Sequence, residues 1–231
     1  MMTTGMRQKQ EALYNESLAL FDEVSDKAWL AEGMREHGYD ADRWAFGEAL
    51  AATAHDLARA RAVAEATQLG ATDTFNRMFD RAWPHFQLAI QTSVDVLQGQ
   101  TEYLDLLGLH EARQNGLSQI SKPGKRDNDE QTLAWLDNYY EVALDHPAIA
   151  AILTANNLPP AKLAKDAAWV RDLKQANRHK EQAITAKSRA VKDRNDAFEQ
   201  LRPWLRRAQR TARTIKKEHA AQQTATAGVE V

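Results

Sequence analysis

Asn76-Arg77-Met78-Phe79-Asp80-Arg81-Ala82-Trp83-Pro84-His85-Phe86-Gln87-Leu88-Ala89 decides the fold, because part of it is written again 119 residues later. Asn76, Phe79, Pro84 and Ala89 recur as Asn195, Phe198, Pro203 and Ala208. Towards the start of the chain, Phe21-Asp22-Glu23-Val24 is echoed by Tyr139-Tyr140-Glu141-Val142, at an offset of 118. Nearly equal offsets at opposite ends of a unit predict an internal duplication of one helical plan.

Composition agrees with helices. There are 40 alanines among 231 residues, only 10 glycines and 6 prolines, and few β-branched side chains. That length is enough to bury a sizeable core without covalent staples. Mean hydropathy is -0.61, and no apolar run approaches the roughly 18 residues of a membrane span. The first residues lack the basic start and apolar stretch of a secretory signal, so the default expectation is a cytoplasmic protein away from membranes. The absence of cysteine excludes disulfides, thiolate catalysis and cysteine-ligated metals.

The apolar spacing predicts six helices in two antiparallel three-helix units, packed as an elongated bundle. The first unit covers 6–108, with helices over 6–37, about 40–69 and about 72–108. Gly38, Gly70 and Gly108 are placed as their ends, and Asp40 or Asp42 as a cap. A turn-rich linker follows over 109–128. The second unit covers 129–220 and is broken at Asp145-His146-Pro147 and restarted at Pro159-Pro160. By analogy with Gly70, its last turn is expected near 189–195; without that turn, one rod of about 60 residues results, roughly 90 Å long. Residues 221–231 read as a disordered tail.

No catalytic constellation is written into either half. Glu-x-x-His and His-Glu-x-x-His are missing, as are nucleophile elbows and glycine-rich phosphate loops. The seven histidines are scattered. The expectation is a protein without enzymatic activity, metal or other cofactor.

Two surfaces stand out instead. In the helix that opens the second unit, Trp135, Leu136, Tyr139, Tyr140 and Val142 widen the apolar face beyond what one neighbour covers, which predicts an interface with a second copy or another protein. The six tryptophans, several one step off the main stripe, fit the edges of a bundle or the same kind of interface. The other surface is basic. Between Gln200 and Lys217 there are seven positive charges and no negative one. Arg202, Arg206, Arg210, Arg213 and Lys217 fall within roughly 80° of one another on a helix, opposite Leu201, Ala208, Ala212 and Ile215. The stripe is about 22 Å long at helical rise.

Residues 1–120 hold 10 Lys+Arg and 18 Asp+Glu, a net of -8, while 121–231 hold 20 and 14, a net of +6. The basic stripe is therefore expected to face the acidic first helix. Its alternative is nucleic-acid phosphate, with Trp204 stacking on a base. The functional expectation is an interaction or assembly protein that self-associates, with a nucleic-acid-associated module as the alternative. A third reading places a small-molecule pocket at the Pro84 and Pro203 bends.

Overall fold

The structure, a computed structural model, describes residues 4–109 and 129–227, and every regular element among them is an α-helix. In chain order they are α1 (Thr4–Asp26), α2 (Ala28–Glu36), α3 (Ala41–Val96), α4 (Thr101–Leu106), α5 (Asp129–Asp145), α6 (Pro147–Ala155) and α7 (Pro160–Ala227). No described helix is long and apolar enough to cross a membrane.

Several boundaries follow from local chemistry. The Asp40 carboxylate accepts from the Arg43 backbone N–H at 2.9 Å and caps α3. Pro147 opens α6 because a ring without an N–H suits a first turn. The backbone after α2 and that after α6 close in the same way. Gly38 and Asn157 take positive φ values of 82° and 65°. The next residue then donates back into the helix, Tyr39 to Met34 and Leu158 to Leu153. Glycine and asparagine are the residue types that reach this conformation most cheaply.

Elsewhere the expected ends moved. The first helix breaks at Lys27, which is extended at φ -119° and ψ 94°. The break lets Leu30 and Met34 of α2 join Leu20, Phe21 and Val24 of α1 in one core. The expected end at Gly70 is absent, and α3 runs through it. Ala and Gln neighbours keep the helix going, Thr72 bonds the Gln68 carbonyl, and one glycine costs only about 1 kcal/mol. The end placed at 108 is preceded by a break after Val96, where Gly99 has φ 91°. The turn expected near 189–195 is also absent: α7 is one helix of 68 residues, supported there by an Arg189–Asp193 pair one turn apart. Residues 221–227 belong to α7 rather than to a disordered tail. Leu109, placed in the linker, is fully buried, whereas 110–128 and 228–231 lie outside the described residues.

Contacts divide the described chain into two compact units, and each draws on both halves of the sequence. Unit one combines residues up to Glu65 with those from Ala186 onward, so α1, α2 and the start of α3 meet the later part of α7. Its core is built on Phe21, Leu30, Met34, Phe198, Leu201, Trp204 and Leu205. Unit two is Ala66–Thr185: the rest of α3, α4, α5, α6 and the start of α7. Phe75, Phe79, Phe86, Leu136, Tyr139, Tyr140, Leu153 and Val170 fill its core.

Candidate functional site

The aromatic set on α5 is not a surface. Leu136, Tyr139 and Tyr140 are at most 1% exposed, and Trp135 and Val142 pack against the same core. The Trp135 indole N–H donates to the Gly108 carbonyl at 3.0 Å. Leu136, Tyr139 and Tyr140 are thus consumed inside unit two and are not available to a partner, while Trp135 and Val142 remain partly exposed at its edge. The cause is Phe86, which meets Tyr140 at 5.9 Å between ring centres, together with the buried faces of α6 and α7. Together these cover the wider apolar face that one neighbouring helix could not. Trp83 and Trp204 are likewise buried. Trp204 lies among Phe21, Tyr39 and Trp44, so it offers no ring for a nucleic-acid base.

Those tyrosines belong to a buried polar cluster that the sequence did not announce. Ser93 and the Tyr139 hydroxyl share a hydrogen bond of 2.7 Å, and Tyr139 meets Tyr140 edge to face. Asp166 on α7 is 2% exposed and has a carboxylate oxygen without a hydrogen-bond partner. Burial raises its pKa above the usual carboxylate range, against the pull of His85, Lys162 and Lys165. Burial also pushes both tyrosine hydroxyls well above the normal phenol range. All four side chains are buried. The cluster's only outward signal in the sequence was a single Asp between Lys165 and Ala167 on an apolar face.

The basic stripe sits where the helical spacing placed it. Arg206, Arg210, Arg213 and Lys217 are exposed and Arg202 is half-buried. Its expected engagement with the first helix does not occur. The acidic side chains of α1 reach its edge only: Lys216 pairs with Glu23 at 2.6 Å, and Gln209 donates to Glu16 at 3.2 Å. Lys216 and Lys27 together hold the Glu23 carboxyl below the usual carboxylate range. Arg202 is taken by Glu199 one turn earlier. The side chains of Arg206, Arg210, Arg213 and Lys217 meet no carboxylate among the described residues. The reason is rotational: Gln209 and Lys216 sit on the flank of α7 that α1 touches, and the stripe lies further round.

Beside it, Asp22 and Asp26 of α1 are exposed and unpaired among the described residues, with Leu18 39% exposed on the same side of the helix. The partner contacts Gln10–Asn195, Glu16–Gln209 and Glu23–Lys216 advance together along both helices, so α1 and this part of α7 run parallel. An acidic strip and a basic strip thus lie side by side in unit one. Among the described residues no group of three or more His, Cys, Asp or Glu could hold a metal ion. No family model, no curated protein and no solved structure matches this chain.

Proposed function

We propose that the protein is a non-enzymatic helical assembly protein whose copies associate through these two strips, the basic face of α7 on one copy lying against the acidic face of α1 on the other. One observation carries this reading: four exposed cations and two exposed carboxylates on neighbouring parallel helices are left unneutralised among the described residues. A twofold axis running along the helices sets acid on base twice, which closes a dimer. Exposed ion pairs contribute roughly 0–1 kcal/mol each, so the association is weak, salt-sensitive and helped by Leu18.

We also read the chain as an internal duplication. Its support is the register of the helix ends. Asp26, Ala28, Glu36 and Ala41 are each followed 119 residues later by Asp145, Pro147, Ala155 and Pro160, which bound the corresponding helices. Gly38 and Asn157, both at positive φ, stand at the same offset. A duplicated chain whose halves exchange their long helices gives the two mixed units described above.

The experiment is mass by sedimentation at low and high salt. Wild type should dimerise at low salt and dissociate as salt rises. Arg206→Glu/Arg210→Glu/Arg213→Glu makes both strips acidic, and Asp22→Lys/Asp26→Lys makes both basic. Each variant alone should be monomeric, and a mixture of the two should recover a dimer. A wild type that stays monomeric at high concentration and low salt ends the reading. Steeply salt-dependent binding of that monomer to DNA would instead favour the nucleic-acid alternative.

A further inference from the structure

Unit two carries a groove of about 590 Å³ between α5 and α7. No aliphatic side chain and no Phe, Tyr or Trp ring lines it. From α7 come Arg171, Lys174, Arg178 and His179, with the amides of Gln175 and Gln182. From α5 comes a single carboxylate, Asp137, and Lys174 takes it at 2.6 Å. Arg171 and Arg178 are exposed, and neither meets a carboxylate, another hydrogen-bond acceptor or a ring among the described residues. The reason is rotational. Seven residues apart, the two arginines lie within about 20° of each other on α7 and roughly 10 Å apart along it. Asp172 is turned about 100° away from Arg171. Glu181 pairs with Lys180 at 3.5 Å, and Glu130 and Glu141 of α5 are exposed outside the groove.

The helical plan does not require these charges. Asp137, Arg171 and Gln182 stand 119 residues after Leu18, Ala52 and Val63, the corresponding positions of unit one under the duplication. Those three are exposed but apolar, so helices of the same plan pack without charge at these places. The charges also oppose one another. Arg171 and Lys174 are three residues apart, and Lys174 and Arg178 four, spacings at which like charges destabilise a helix. An anion held among them relieves that repulsion.

We propose that this groove binds a linear oligophosphate, either the inorganic chain or the same chain carried by a nucleotide. The Arg171 and Arg178 guanidiniums, whose forks match phosphate oxygens, take its two ends. Two forks set apart along a helix favour charge spread along a chain over charge on a single centre. The all-polar lining offers no face to a base or other ring, so the phosphates alone are recognised. The volume lies within the range of small-molecule sites, about 300–1,000 Å³. The site is independent of the assembly reading, whose two strips belong to unit one.

The test is calorimetric titration of the full chain with tripolyphosphate, inorganic phosphate and ATP, at about 0.15 M salt, where distant charges are screened. Saturable binding of tripolyphosphate, at least about tenfold tighter than of inorganic phosphate, is the expected result. ATP binding within about threefold of tripolyphosphate extends the site to nucleotides, and weaker ATP binding restricts it to inorganic chains; either supports the assignment. Arg171→Gln/Arg178→Gln should weaken tripolyphosphate binding at least about tenfold with helical circular dichroism unchanged. Arg59→Gln/Arg207→Gln removes the same charge from exposed positions of unit one and should leave binding unchanged. Equal affinity for single phosphate, ATP binding about tenfold tighter than tripolyphosphate, or undiminished binding by Arg171→Gln/Arg178→Gln would each overturn the assignment. Equal weakening by both double variants, or absence of saturable tripolyphosphate binding, would do the same.

Discussion

The indole of Trp204 occupies the space that a side chain on Gly47 would need: a Cβ there would stand 1.9 Å from Trp204 Cζ2. Unit one is closed by this contact, since the same indole also meets Phe21, Tyr39 and Trp44. Gly47→Ala should therefore destabilise the protein by about 1–3 kcal/mol through overpacking. Joining it to Trp204→Leu should cost less than the sum of the single changes, because the clash disappears with the indole. Denaturant titration of the four proteins measures this; strict additivity would refute the contact.

Gly70 offers the opposite case. It lies within α3, with nothing within 4 Å of the place its Cβ would take and no positive φ to satisfy. Gly70→Ala should stabilise by about 1 kcal/mol and raise the melting temperature. Had the chain turned there in the left-handed conformation of a helix end, the same change would lower it.

Asp166 sets a pH dependence. Its folded carboxyl holds a proton more tightly than the unfolded chain does, from an ordinary value of 3.8 upward. Folding then takes up a proton between the two pKa values, so this residue's contribution to stability declines as pH rises through that window. Asp166→Asn should remove the decline and leave the protein more stable than wild type at pH 7, by about 1.4 kcal/mol for each unit of upward displacement. Thermal melts from pH 3 to 8 compare the two; parallel curves would contradict the burial argument.

Glu23 acts in the reverse sense. Lys216 and Lys27 lower its pKa from 4.5, so its stabilising contribution is present above that value and is lost as pH falls through the folded one. The carboxylate is partly exposed, and Glu23→Gln should cost no more than about 1 kcal/mol at neutral pH, with no penalty in acid. A penalty that persists at pH 3 would point to packing instead.

Features that depend on one residue and its immediate neighbours were legible in the sequence: an all-helical chain, the Asp40 cap, the closures at Gly38 and Gly108, the break at His146-Pro147 and the restart at Pro160. A proline without an N–H or a glycine at positive φ changes local backbone energy by an amount no distant contact needs to supply. The placement of the basic stripe on an exposed helix face was legible for the same reason, since helical periodicity is local.

Tertiary structure decided the rest. Lys27 has no proline beside it, and it breaks the helix only because Leu30 and Met34 gain a core by turning. Gly70 and Arg189 carry weak or ambiguous end signals, and whether the helix continues depends on what its two ends bury: one end of α3 packs in unit one and the other in unit two. Tyr139 and Tyr140 looked like surplus apolar surface because the helix sequence does not say how many neighbours it will have. The groove beside Arg171 arose from side chains of two helices, up to 45 positions apart between Asp137 and Gln182. Burial is a property of surfaces brought together by the whole chain, so it follows from the full set of packed helices and cannot be read along any one of them.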